Sequence, residues 1–425
     1  MGKNGKTLAI VGGGAAGLAA AVAAGRRARD LGTALEIAVF ESDERVGRPV
    51  LATGNGRCNF SNAHIDVREY FNAGFVGDAF DALDGRFGPD CVHRFFAELG
   101  LAWREEGDGR QYPLANKASV VVDVLRAAAA EYGVRERCEA HVSAIDAPRE
   151  QGKPFTLRLR DGKFERADAV ILALGGRAIT ALEGLEGLGI PRLQTRPVLG
   201  PLKVARDDVP FVRELDNIRV KCAVTLARKE GVVFTRVMTE VGELMFRKYG
   251  VSGICVFNLS RFAEPGDVLR VDFLQVGGAE QAEQLLVQRR DALARHFGEA
   301  ITHETLLRGL LLPRVSEALL KSAGIDPAAP FTPFDAAHLA RLLTAFPLEV
   351  AGIADPDISQ VRRGGLSVSA FDPATMQARN VPGFFAAGEA LDVDGPCGGY
   401  NLHWAWASGI LAATSAVELI ASEGR

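Results

Sequence analysis

The sequence predicts an α/β protein: a Rossmann-like dinucleotide-binding domain built from both ends of the chain, with a β-rich and helical insertion between them. Three observations predict it. A strand, a glycine turn and an alanine-rich helix follow one another from Ala9 to Leu31. A second strand, Leu35 to Phe40, ends on the acid Glu41. Glycine-rich strand ends return after about Gly364, beyond a middle segment of different character.

The first turn reads Gly12-Gly13-Gly14-Ala15-Ala16-Gly17, a G-x-G-x-x-G fingerprint with its acid after the next strand. Gly12 allows the tight turn, Gly14 lets backbone approach a pyrophosphate, and Gly17 lets helix pack on strand. The N–H groups of the first helical turn, including Ala15 and Ala16, then face the phosphates with the positive end of the helix dipole. Glu41 is placed to accept hydrogen bonds from ribose hydroxyls.

The chain has 425 residues, enough for two or three domains. It is 48% hydrophobic and 24% charged, with net charge −4, which argues against nucleic-acid or membrane binding driven by bulk charge. Six cysteines are scattered without a C-x-x-C pair, and the histidines are dispersed, so neither a redox disulfide nor a zinc site is expected. With no export signal read, free thiols and a cytoplasmic location are expected.

Strand and helix signals alternate to about residue 190. Phe155–Leu159 and Ala169–Leu174 read as strands, and Cys91–Leu99 and Val120–Tyr132 as helices. Four prolines between Pro191 and Pro210 then mark a change. Alternation predicts strands at Ala223–Leu226, Val232–Met238, Cys255–Leu259 and Val268–Phe273. Helical spacing follows at 279–297, Leu306–Leu320 and Ala336–Ala345, with a Pro/Ala-rich linker at Gly324–Pro333. The expected domains are therefore 1–194, nucleotide-binding; 195–278, β-rich; 279–350, helical; and 351–425, the return to the β-rich and nucleotide-binding parts. Such an insertion suits a flavin enzyme, where it can cover the ring and shape a substrate cavity.

Four further segments carry chemistry. Gly47-Arg48 and Thr53-Gly54-Asn55-Gly56-Arg57-Cys58-Asn59 form a loop dense in backbone donors, suited to a pyrophosphate or polyol chain. The strand Val170–Leu174 ends in Gly175-Gly176, where backbone comes close to a ligand. The strand before Gly388 ends on Glu389, with Asp392 nearby; Glu389 is the first choice for a ribityl hydroxyl and Asp392 the second. Gly398-Gly399-Tyr400-Asn401-Leu402-His403 opens a long helix that would offer N–H groups and a helix dipole to a flavin's pyrimidine end.

Together these motifs resemble the BaiN/YhiN-type (aminoacetone-oxidase-like) family of FAD-dependent oxidoreductases. The most specific are T-G-N-G-R-C-N from Thr53 and the run from Gly388 to Leu402; Gly109-Arg110-Gln111-Tyr112-Pro113 and Gly364-Gly365 add to them. Gly242–Phe246 with Tyr249–Gly253 looks like the family's inserted barrel. The resemblance implies a Rossmann-like FAD-binding domain with β-barrel-like and helical insertions. It implies FAD contacts at Gly12, Gly14, Ala15, Ala16, Gly17, Glu41, Arg48, Thr53, Gly54, Gly56, Arg57, Gly388, Glu389, Tyr400, Asn401 and Leu402. Gly175, Asp392 and Gly399 join them from the strand-end and helix-start readings, and a backbone contact to the adenine is implied near Val142. The chain departs from the family pattern at Leu174, where threonine is commoner, at His403, where glutamine is expected, and at Ile254, where proline usually follows the glycine.

FAD chemistry makes the reaction class redox. No second strand–glycine–helix unit is present in the sequence, so NAD(P)H, if it is the donor, binds transiently at the flavin face. The expected activity is reduction of an activated C=C or C=O bond of a small molecule, with Arg110, Tyr112 and His403 as catalytic candidates and Arg57 or Arg110 polarising a carbonyl. The alternatives are an oxidase of small amines and an RNA-interacting flavoprotein, in which Arg362-Arg363 would meet phosphate. Glu41→Ala is expected to weaken FAD binding about tenfold or more by removing the ribose acceptor; unchanged affinity in a fluorescence titration would show that the adenosine half lies elsewhere.

Overall fold

Leu8, Ala9, Ile10 and Val11 are all buried. A strand apolar on both faces belongs in the middle of a parallel sheet covered by helices. The computed structural model, which describes residues 5–148, 150, 153–231, 233–298 and 300–423, places it there. The chain opens with β1 (Lys6–Val11), α1 (Ala15–Leu31), β2 (Leu35–Phe40), α2 (Arg48–Ala52), β3 (Ser61–Asn62), α3 (Ala73–Phe87) and α4 (Cys91–Glu98). It continues through β4 (Trp103–Glu106), β5 (Arg110–Pro113), α5 (Ala118–Glu131), β6 (Arg135–Arg137), β7 (Val142–Asp146), β8 (Phe155–Leu159), β9 (Phe164–Ala167), β10 (Ala169–Leu172) and β11 (Arg192–Val198).

The inserted segment carries β12 (Leu202–Val204), α6 (Val209–Glu214), β13 (Arg219–Glu230), β14 (Val233–Arg247), β15 (Gly250–Ser252), α7 (Ile254–Ser260) and β16 (Val268–Asp272). Then come α8 (Ala279–Phe297), α9 (His303–Leu307), α10 (Pro313–Ser322), α11 (Ala336–Thr344) and β17 (Phe346–Ile353). The return is β18 (Val361–Leu366), β19 (Phe384–Ala386) and α12 (Tyr400–Glu423).

Two compact units result. One holds the residues up to 196 and from 361 on; the other is Pro197–Gln360. In the first, β19, β10, β1, β2 and β6 lie side by side in that order, all parallel. β3, β5 and β4 form a small antiparallel sheet, β7, β8 and β9 another, and β11 lies beside β18. In the second, β12, β15, β14, β13, β16 and β17 close into a barrel.

α1 lies against α12 at close range. The contact works because small residues meet: a Cβ on Gly409 would stand 2.5 Å from the Ala16 carbonyl oxygen. Gly32, at φ 65°, closes α1 in the left-handed conformation that glycine adopts without strain. α12 is long and apolar enough to cross a membrane, yet 78% of its apolar window is buried inside the protein, as befits a core helix.

The insertion differs from expectation in four ways. The helical segment is not a domain of its own: Leu286, Leu319 and Leu339 share one core with Leu226, Val271 and Leu348 of the barrel. The barrel keeps the chain through β17, so the return falls at 361 rather than 351. Cys255–Leu259, read as a strand, lies in α7; Gly253 at φ 114° turns the chain, and Cys255, Val256 and Leu259 then form one buried helical face. The run Leu306–Leu320 is split, because Pro313 starts a new helix and has no N–H to continue the old one. Val232, the expected first residue of a strand, lies outside the described residues.

Gly409→Val is expected to destabilise the protein by about 1–3 kcal/mol through overpacking against rigid backbone. A lowered thermal midpoint in calorimetry checks this; an unchanged one would mean that α1 and α12 separate without cost.

Candidate functional site

The first turn is shaped as a cradle. Gly12 takes φ 108°, and a Cβ there would stand 2.6 Å from the Ala173 carbonyl oxygen. A Cβ on Gly17 would overlap the Gly12 oxygen. Gly14 instead faces open space and N-caps α1 without a side-chain cap, and no acid occupies the helix's first turn. The N–H groups of Ala15 and Ala16 are thus left to a ligand, and a pyrophosphate fits that role.

Glu41 is buried at the end of β2 and organises the turn from below. Its Oε2 accepts from Gly13 N at 2.8 Å; its Oε1 accepts from Asp43 N at 2.9 Å and the Ser42 hydroxyl at 3.0 Å. A carboxylate offers about four acceptor positions, so one remains for a ribose hydroxyl. The chain entering β7 passes this point: Ala140 N donates to the Glu41 carbonyl at 2.8 Å and Glu139 N to that of Asp43 at 2.9 Å. Val142, buried at the start of β7, follows two residues after this contact.

The loop from Thr53 to Asn59 reverses through Gly54, Asn55, Gly56 and Cys58, all at positive φ. Several side chains expected on the cofactor also have protein partners. The Thr53 hydroxyl donates to Val50 O at 2.7 Å, and Arg48, largely exposed, pairs with Asp43 at 3.0 Å. Arg57 bonds to Asn116 and Glu106 and lies 3.9 Å from the centre of the Tyr112 ring. The Tyr400 hydroxyl donates to His64 O at 2.9 Å, and the Asn401 amide closes on Gly395. The loop therefore offers a ligand mainly backbone, notably at Gly54 and Gly56. Leu402 is half-buried in the first turn of α12.

The start of α12 is fixed by contacts that sequence reasoning missed. Asn62 donates to the carbonyls of Gly398 at 2.9 Å and Asp108 at 3.0 Å. Trp406 Nε1 donates to Phe60 O at 2.9 Å and Trp404 Nε1 to Gly388 O at 3.1 Å. Gly399, at φ 104°, lies so close to the Ser61 carbonyl that a Cβ would overlap it. Buried tryptophans carrying a donor just inside an apolar helix were the available signal.

Glu389 and Asp392 both grip β18. Glu389 Oε1 accepts from Arg362 N at 2.6 Å, and its carboxyl also takes the Gly176 N–H; Asp392 Oδ1 accepts from Gly364 N at 2.7 Å. Burial pushes the Glu389 carboxyl up to about 7 and raises that of Asp392. Gly175 leaves room beside Glu389: a Cβ there would stand 3.8 Å from Oε2. Gly388, at φ 66°, meets Ala16, so the acid strand end and the glycine turn are neighbours.

The three catalytic candidates surround one strand. Arg110 and Tyr112 lie on β5, whose residues Arg110 and Gln111 pair with Asn62 and Ser61. Arg110 Nε donates to Gly107 O at 2.8 Å, and its aliphatic stem passes near Gly398. The Tyr112 ring is buried, and its hydroxyl has no hydrogen bond among the described residues. His403 is different. Its Nδ1 lies 2.8 Å from the Ser61 hydroxyl, which is also 3.1 Å from His93 Nε2; burial and the facing His93 push His403 down to about 3. It is neutral at working pH and holds no acidic proton to give as imidazolium, which removes the main ground for reading it as the acid.

An uncapped helix start at the first turn, with glycine-lined strand ends along the carboxyl edge of a parallel sheet, defines a Rossmann-type dinucleotide-binding protein. The chain belongs to the HI0933-like family, whose Rossmann-domain model matches residues 6–415, and is an FAD-dependent oxidoreductase. It is 32% identical over 431 residues to a 3-dehydro-bile acid delta(4,6)-reductase of Clostridium scindens, covering 97% of this chain and 99% of that one. It is also similar to two proteins named ribosomal RNA dihydrouridine synthase: 27% identical to that of Escherichia coli and 24% to that of Haemophilus influenzae. These cover 97% and 96% of this chain and 98% and 97% of their own lengths.

His403 and Glu389 give stability opposite pH dependences. A histidine depressed to about 3 contributes stability that is complete above its unfolded value of 6.5 and lost as pH falls toward 3. A glutamate raised to about 7 contributes stability that is complete below 4.5 and lost as pH rises to 7. His403→Gln is therefore expected to flatten the loss of stability between pH 6.5 and 3. Urea unfolding across that range checks it; an unchanged slope would show that His403 takes up a proton without unfolding.

Proposed function

We propose that the protein reduces a carbon–carbon double bond conjugated to a carbonyl, taking electrons from NADH or NADPH. Bound FAD would supply the two-electron chemistry. Gly12 to Gly17 and Glu41 would hold its adenosine pyrophosphate, Gly54 and Gly56 the middle of the molecule, and the N–H groups of Gly399 to Leu402 its ring end. The observation that carries the reading is the hydroxyl of the buried Tyr112, which has no hydrogen-bond partner among the described residues. A phenol donates a proton, and saturating a double bond needs one at the carbon that does not receive hydride. Arg110 would hold the carbonyl oxygen, so that charge developing there meets a cation. Arg57 is engaged by Asn116 and Glu106 and would support Tyr112 rather than touch substrate.

The relatives support this chemistry from two substrate types: a delta(4,6)-reductase and a dihydrouridine synthase both, by name, saturate a double bond. A small enone is the substrate we favour, since the greater identity is to the bile acid enzyme. Uridine in RNA is the second reading, favoured by two of the relatives. Six cysteines without a disulfide suit the cytoplasm as the place of action.

The test is anaerobic. NADH and NADPH are mixed separately with the FAD-loaded protein, and the visible flavin band is followed. Bleaching within seconds by either, and return of colour on adding an enone or a uridine-containing RNA, is expected. Absence of bleaching by both would overturn the nicotinamide donor; bleaching with no recovery by either acceptor would overturn the substrate class.

A further inference from the structure

Arg362 and Arg363 are neighbours in β18, yet their surroundings differ. Arg363 is occupied within the protein. Its guanidinium pairs with buried Asp394 at 2.6 and 2.9 Å and lies 4.0 Å from the centre of the Phe71 ring. Arg362, one residue earlier, projects to the other side of the strand. Among the described residues it has no ion pair, and its Nε is buried with no acceptor. Its root is fixed: the Arg362 backbone N–H is held by Glu389, and a Cβ on Gly176 would stand 2.9 Å from Arg362 Cβ.

That root stands where β10 and β19 run out into Gly175-Gly176 and Gly388-Glu389, at the carboxyl edge of the parallel sheet. Ligands of such sheets bind beyond that edge. A buried guanidinium N–H without an acceptor is costly, and native proteins keep few such groups. Glu389 does not fully cancel the charge. Its Oε1 is engaged by the Arg362 N–H, and burial holds the carboxyl partly protonated at neutral pH, so it offsets only part of that charge. Arg177 also lies within electrostatic reach of Glu389. At this edge the Arg362 Nε is thus an unmet donor.

We propose that Arg362 is an oxyanion-binding residue of the active site, taking an electron-rich oxygen at the carboxyl edge of the sheet. Two oxygens share that chemistry: the carbonyl oxygen of a substrate as it gains enolate character, and the pyrimidine carbonyl of the flavin. The first assignment rests on the reductase reading above; the affinity for an anion does not. A guanidinium suits either, because its planar fork keeps its charge at any working pH.

FAD-loaded wild type, Arg362→Gln and Arg362→Lys are compared in two titrations without nicotinamide or turnover. 4-Chlorophenol, followed by the long-wavelength charge-transfer band of its phenolate over the oxidised ring, reports an oxyanion held at the substrate position. Sulfite, followed by bleaching of the flavin band, reports positive charge near the pyrimidine edge. Arg362→Gln is expected to weaken one of the two by about tenfold or more, the loss of one charge-assisted hydrogen bond, with Arg362→Lys between. Loss of phenolate alone assigns the substrate oxygen, and loss of sulfite alone the flavin. Both affinities within twofold of wild type in a variant that keeps its FAD and thermal midpoint would overturn the proposal. So would a wild type that binds neither probe. A negative result here leaves the nicotinamide test standing, and failure of that test leaves these titrations interpretable.

Discussion

The contact between α1 and α12 is the constraint on which the nucleotide-binding unit depends. A parallel sheet made from both ends of a chain holds together only if the late elements lie on the early ones. Here the meeting point is Ala16. Gly409 approaches its carbonyl, Gly388 approaches its methyl, and Trp404 ties α12 to the Gly388 carbonyl. Ala16 is also in the turn whose N–H groups would face a pyrophosphate. The helix that closes the fold therefore presses directly on the turn that would hold the cofactor.

A division of labour between backbone and side chains follows. Polar side chains near the site mostly serve the protein itself: Glu41 braces the turn, Asn62 braces Gly398, and Glu389 and Asp392 hold β18. Glycines with positive φ then leave their backbone groups to the ligand. Side chains with fixed partners thus brace the backbone around the candidate site. The few polar groups outside this scheme, the Tyr112 hydroxyl and the Arg362 guanidinium, stand out against it.

Much of this was legible in the sequence because glycine turns are local. The strand before Gly12, the uncapped start of α1 and the acid closing β2 need only a short window to be read. Cofactor elements at both ends and a β-rich middle were legible for the same reason. What failed was what depends on long-range packing. An apolar run such as Ile254–Leu259 fits strand or helix equally, and only the turn at Gly253 decides it. The helices after residue 279 carry apolar faces, but their partner in the barrel is invisible to a local pattern. The partners of Arg57, Glu106 and Asn116, lie 49 and 59 residues away in sequence, so no local pattern announces them. Nothing near His403 in sequence announces Ser61 and His93.

The pairing of β11 with β18 has a consequence for how such a chain arises and changes. The strand that leads out of the nucleotide-binding unit lies beside the strand that leads back, close enough that Gly364 admits no side chain against Gln194. The 164 residues of Pro197–Gln360 are thus spliced in at a single seam. Whatever occupies that seam, long or short, the host pays nearly the same entropy to close it, since loop-closure cost grows only with the logarithm of length. An insert lengthened, trimmed or exchanged at this seam would leave the register of the host sheet, and nearly all of the closing cost, as they are.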